Sequence, residues 1–119
     1  MPSTALLTDR YELTMVASAL RDRSASRTCV FETFARRLPT GRRYGVVAGT
    51  GRLLTAITEF TFGDDELGYL ETFLDRATMD YLAAYHFDGD VDGYPEGELY
   101  FPGSPVLSVR GSFGSAVVL

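Results

Sequence analysis

The chain has 119 residues, 45% of them hydrophobic and 23% charged, with a net charge of −5. This is the balance of a single ordinary globular domain and excludes a disordered or coiled-coil chain. One cysteine (Cys29), one histidine (His86) and no lysine exclude internal disulfides, CxxC centres, multi-ligand zinc sites, Cys-His nucleophilic pairs, lysine Schiff bases and Walker-type lysines within one chain. Residues 1–58 hold nine arginines against four acids, and residues 59–119 hold two against twelve. That pattern argues against general nucleic-acid or membrane binding. No apolar run reaches the roughly 18 residues of a membrane span, and Met1 to Leu7 is too short for a signal peptide, so a cytoplasmic location is expected.

In chain order, Thr8 or Asp9 caps a helix running to about Asp22, with Asp9 and Glu12 at capping-box spacing. Its periodicity places Leu13, Val16, Ala17 and Leu20 on one side and Tyr11, Met15 and Ser18 on the other. Thr28 to Ala35 and Tyr44 to Ala48 read as two strands paired antiparallel around Leu38-Pro39-Thr40-Gly41. A helix capped by Thr50 and carrying Leu53, Leu54, Ala56 and Ile57 follows. The next starts at Asp64-Asp65-Glu66, with the stripe Leu67, Leu70, Phe73 and Leu74, and a fourth spans Thr78 to Tyr85. Asp90 to Tyr94, Glu98 to Phe101 and Val106 to Arg110 read as strands. The fold class expected is α+β, a largely antiparallel sheet covered by several helices. Ala116-Val117-Val118-Leu119 stops on an apolar run without a cap, which suggests a domain that continues.

Several local patterns have bland explanations. Asp88-Gly89-Asp90-Val91-Asp92-Gly93 opens like a calcium loop, but Pro95 interrupts it and Leu99 stands where a bidentate glutamate is needed; a polar turn entering a strand is the better reading. Arg36, Arg37, Arg42 and Arg43 could hold a phosphate or carboxylate, but a solvated hairpin tip is the better reading. Gly45, Gly49 and Gly51 resemble a phosphate loop without its spacing. His86 is assigned no role. Tyr11 faces away from the apolar stripe of its own helix, as an aromatic that stacks on a ligand or covers a neighbouring domain or subunit would.

The segment Leu7-Thr8-Asp9-Arg10-Tyr11-Glu12-Leu13-Thr14-Met15 resembles the N-terminal signature of nicotinate phosphoribosyltransferases. Phe31-Glu32-Thr33-Phe34-Ala35-Arg36-Arg37-Leu38-Pro39, Tyr44-Gly45-Val46-Val47-Ala48-Gly49, Gly89-Asp90-Val91-Asp92 with Pro95-Glu96-Gly97, and Pro105-Val106-Leu107-Ser108-Val109 follow that family in order. The resemblance implies that residues 1–119 are the N-terminal domain of a type II phosphoribosyltransferase whose α/β barrel lies outside this chain. It implies formation of nicotinate mononucleotide from nicotinate and 5-phosphoribosyl-1-diphosphate, coupled to ATP hydrolysis and assisted by Mg2+, in NAD biosynthesis.

The resemblance makes Tyr11 the ring that stacks on nicotinate, delivered from one subunit of a homodimer into its partner's site, with Thr8, Asp9 and Thr14 in support. The family's phosphate site, metal site and phosphorylated histidine belong to the barrel. No catalytic or metal-binding residue is therefore assigned here, ATP and Mg2+ are expected to bind elsewhere in the full-length enzyme, and the 119-residue chain alone is expected to be inactive. The alternatives are a free-standing anion-binding or structural module, and a nicotinamide-specific relative.

Overall fold

The computed structural model describes residues 3–119. The first helix, α1 (Arg10–Arg21), buries Leu13, Val16, Ala17 and Ala19 and leaves Tyr11, Met15 and Ser18 in solvent, the two-sided helix that the periodicity predicts. The remaining elements are β1 (Thr28–Thr33), β2 (Gly45–Val46), α2 (Thr50–Thr58), α3 (Asp64–Leu70), α4 (Arg76–Ala83), β3 (Asp90–Gly93), β4 (Leu99–Tyr100), β5 (Leu107–Ser112) and α5 (Phe113–Ala116). The α+β class is as expected.

Strand pairing differs from the expectation. β1 and β2 do not form a hairpin: β1 pairs antiparallel with β5, from Thr28 opposite Ser112 to Thr33 opposite Leu107, and β3 flanks the other edge of β5. β2 pairs instead with β4 in a separate two-stranded sheet, Gly45 opposite Tyr100 and Val46 opposite Leu99. The physical reason lies in the connection. The segment between β1 and β2 is too long for a tight hairpin turn, while β5 offers β1 six consecutive partners that include Phe31 against Val109. The turn itself does form, with the Arg42 amide donating to the Pro39 carbonyl at 3.0 Å. Gly45 is needed because a Cβ there would collide with the Tyr100 ring across the ladder.

The core gathers Leu13 and Val16 of α1, Leu70, Leu82, Tyr85 and Val118. Phe60, Phe62 and Tyr85 meet edge to face at centroid distances of 5.5–5.7 Å. The Tyr85 hydroxyl donates to the Ser115 carbonyl at 2.6 Å and so ties α4 to α5. Both burial and this bond favour the neutral phenol, and burial pushes the Tyr85 pKa up. α5 is a short helix that the sequence reading does not include; it ends where the apolar run Ala116 to Leu119 begins, and its Gly114, Ser115 and Ala116 are all buried.

Helix boundaries shift for identifiable reasons. α3 ends at Leu70, so Phe73 and Leu74 pack against the core from the turn beyond it. Its cap is Gly63, whose amide donates to the Glu66 carboxylate at 2.9 Å. α4 starts two residues before Thr78, because Asp75 caps it: the Asp75 carboxylate accepts from the Thr78 amide at 2.9 Å and the Thr78 hydroxyl at 2.6 Å. Arg21 at the end of α1 donates to the same carboxylate at 3.1 Å.

The Thr78 bonds first, and Arg21 second, hold the Asp75 pKa down from 3.8 to about 2. A carboxyl depressed on folding contributes its stability fully above its unfolded pKa and loses it as pH falls through the folded value. Asp75→Asn is therefore expected to lower the thermal midpoint at pH 7, with the gap to the unaltered protein closing between pH 4 and pH 2. Midpoints measured across that range check this; a gap that stays constant down to pH 2 would contradict it.

The molecule measures 48 × 31 × 27 Å, and its radius of gyration of 15.9 Å exceeds the roughly 13.5 Å of a compact chain this long. Helix α2 has no buried residue, its Leu53 and Leu54 are exposed, and so are Tyr44, Val46 and Leu99 at the two-stranded sheet. This part of the fold stands out from the core.

Candidate functional site

The N-terminal end of α1 presents the predicted residues together. Asp9 holds the extended backbone of an N-cap, and its carbonyl accepts from the Glu12 amide at 3.2 Å. The expected capping box does not form, because the Asp9 carboxylate accepts no bond from the helix. Asp9 therefore starts α1 through its backbone and the favourable charge at a helix N-terminus. Thr14 donates its hydroxyl to the Tyr11 carbonyl at 3.1 Å, one turn back. Thr8 lines a cleft of about 180 Å3 with Thr4, Leu7, Leu53, Ile57 and others.

Tyr11 is 59% exposed and Met15 38%, so one aromatic and one flexible thioether form an uncovered strip along α1. The adjacent Glu12 carboxylate raises the Tyr11 pKa above its ordinary 10, and Asp9 adds to the effect. The ring is thus held as a neutral phenol. Beside it, Glu12 Oε2 is buried with no hydrogen-bond partner among the described residues, a cost that a further donor would relieve.

The other candidate groups separate. Gly49 and Gly51 do sit at a helix start, but their amides are already filled by a carboxylate of the same chain. Gly49 N–H donates to both oxygens of Glu96, at 3.0 and 2.9 Å, and Gly51 N–H to Oε1 at 3.1 Å. The cap of α2 is therefore Gly49, in the left-handed region at φ 96°, and Thr50 lies inside the helix, contrary to the cap expected. Arg36, Arg37, Arg42 and Arg43 are all exposed; Arg42 and Arg43 line an open groove with Tyr44, and Arg36 and Arg37 lie outside it. Asp90 and Asp92 lie on β3, so the calcium-like stretch is a turn running into a strand. His86 is exposed after α4, neither packed nor capping a helix.

Among the described residues no three carboxylate, imidazole or thiolate groups converge as metal ligands. No helix among them is long and apolar enough to cross a membrane.

Sequence reasoning missed Glu96, although Pro95-Glu96-Gly97 was visible as a block. Nothing in a linear pattern shows that a residue 47 positions away completes the glycine turn. It also missed the Asp75 cap, for which the Asp75-to-Thr78 spacing was an available signal.

The fold and this exposed helix define the class. Residues 6–119 match the sequence model of the nicotinate phosphoribosyltransferase (NAPRTase) N-terminal domain. The chain is 68% identical over 114 residues to nicotinate phosphoribosyltransferase pncB1 of Mycobacterium tuberculosis, covering 96% of this chain and 25% of that one. It is 34% identical over 111 residues to the nicotinate phosphoribosyltransferase of Mus musculus, covering 89% and 21%. The crystal structure of human nicotinic acid phosphoribosyltransferase superposes with a TM-score of 0.84 at 32% identity, over 94% of this chain and 23% of that one. The chain belongs to the nicotinate phosphoribosyltransferase family. It spans about a quarter of the length of these relatives.

Proposed function

We propose that this chain is the N-terminal domain of a nicotinate phosphoribosyltransferase, and that it supplies Tyr11 to a nicotinate site completed by a partner subunit. The observation that carries this is the exposed Tyr11 at the first turn of α1, while Leu13, Val16 and Ala17 on the opposite face of the same helix are buried. A neutral aromatic face can hold the pyridine ring flat without placing charge against the nicotinate carboxylate. The unpartnered Glu12 oxygen beside it supports contact with a neighbouring subunit that brings a donor.

In the reaction, the pyridine nitrogen lone pair forms a bond to the anomeric carbon of 5-phosphoribosyl-1-diphosphate. The bond from that carbon to diphosphate breaks, and its electron pair leaves with the diphosphate. The sugar passes through an oxocarbenium-like state, so the rate depends on charge stabilisation and on holding the nitrogen in line. Tyr11 contributes to the second by fixing the ring plane. Asp9 and Thr14 shape the start of the helix that carries it. ATP and Mg2+ would supply energy coupling and charge neutralisation from the remainder of the full-length enzyme, a homodimer joined in part through the Tyr11 helix and working in the cytoplasm.

The purified 119-residue chain is expected to convert no nicotinate. An assay with nicotinate, the phosphoribosyl donor, ATP and Mg2+ checks this, and mononucleotide formation by this segment alone would contradict it. The nicotinamide-specific alternative predicts turnover of the amide in preference to the acid by the full-length enzyme. A free-standing anion-binding module would use the Arg42–Arg43 groove, but the match across residues 6–119 favours the transferase reading.

A further inference from the structure

We infer that Glu96 is a carboxylate strap holding the N-terminal end of α2 in place, and that α2 is the segment of this fold that swings when the strap is released. The helix has two anchors of different kinds. At its C-terminal end the chain runs directly into Phe60, which is buried in the core, and the Phe60 amide donates to the Ile57 carbonyl. At its N-terminal end nothing is buried.

That free end starts at Gly49, whose left-handed conformation brings the Gly49 and Gly51 amides to one point. Glu96 collects both with three charge-assisted bonds of 2.9–3.1 Å. A negative charge there also complements the positive end of the helix dipole. Next to it the Thr50 hydroxyl donates to the Tyr94 carbonyl at 3.4 Å, a long and weak bond. The Val47 amide donates to the Glu98 carbonyl and the Gly97 amide to the Val47 carbonyl, both at 2.8 Å, so the turn that carries Glu96 is itself fixed to the strand before the helix. Besides the long Thr50 bond, Glu96 is the side chain that joins this turn to the start of α2 among the described residues.

The position of α2 matters beyond the helix. Leu53, Ala56 and Ile57 form one wall of the cleft whose other side is Thr4, Leu7 and Thr8, the residues leading into Asp9 and Tyr11. Releasing the strap lets that wall pivot about Phe60 and changes the width of the cleft beside the entry to α1.

Trypsin reads this directly, because arginine is the only cleavage residue in the chain and Arg52 lies in the first turn of α2. Cleavage within a helix requires that turn to open, so its rate follows the open population. In Glu96→Ala, cutting after Arg52 is expected to rise about tenfold or more, since three bonds to a charged group are lost. Cutting after Arg110, at the centre of the three-stranded sheet, is expected not to change. Glu96→Gln keeps one carbonyl acceptor and should fall between, and it serves alone if the alanine variant does not fold. Equal Arg52 rates in the variants and the unaltered protein would overturn the strap. Parallel acceleration at Arg52 and Arg110 would overturn it too, by showing that Glu96 supports the whole fold instead of one helix.

Discussion

Replacing Tyr11 by Ala in the full-length enzyme is expected to lower kcat/KM for nicotinate about 100-fold, the scale on which lost positioning of one reactant slows a bimolecular step. Tyr11→Phe keeps the ring and should retain most of that efficiency. Both variants should fold normally and melt with the unaltered protein, because Tyr11 contributes nothing to the core: it stands exposed, opposite Leu13 and Val16. Steady-state kinetics with a thermal melt on the same samples separates the two effects. A fall in activity accompanied by a fall in melting temperature would point to a structural role and count against stacking.

The second large effect concerns Leu82. It is fully buried in the centre of the core, on α4, within the cluster that joins α1, α3 and the C-terminal residues. Leu82→Ala removes three buried carbons and leaves a cavity, which typically costs about 2–5 kcal/mol. Domains of this size are stable by about 5–15 kcal/mol, so the variant should be visibly destabilised or partly unfolded at 25 °C. Leu53→Ala on α2 is the control. Leu53 is exposed, and its loss should shift stability by no more than about 0.5 kcal/mol. Urea unfolding of the three proteins tests the contrast; equal losses for Leu82→Ala and Leu53→Ala would mean that the core is not where the fold places it.

The same contrast between α4 and α2 explains what was readable in the sequence. Local features were legible: the two faces of α1, the acidic start of α3 and the positions of the five strands follow from spacing within a few residues. Pairing was not. β1 was matched to the nearest later strand, whereas its partner β5 begins more than seventy residues on, where register and side-chain contacts decide. The expected cap of α2 and the expected start of α4 are displaced because propensity ranks residue types, while Gly49 and Asp75 are selected by bonds to Glu96 on one side and by Thr78 and Arg21 on the other. At the candidate site, the exposure of Tyr11 was legible from helical period alone. The buried Glu12 oxygen was not, because burial of a single atom depends on tertiary packing and not on helical period.

The most direct test of the shared site is subunit mixing. Full-length Tyr11→Ala subunits are combined with subunits inactivated in the barrel domain, each nearly inactive as a homodimer, and the mixture is assayed for nicotinate mononucleotide. If Tyr11 serves the partner's site, mixed dimers carry one site with an intact Tyr11 and an intact barrel, and activity returns. If mixing restores nothing, although exchange into mixed dimers is confirmed, Tyr11 does not act across the subunit boundary and the account of this domain is wrong.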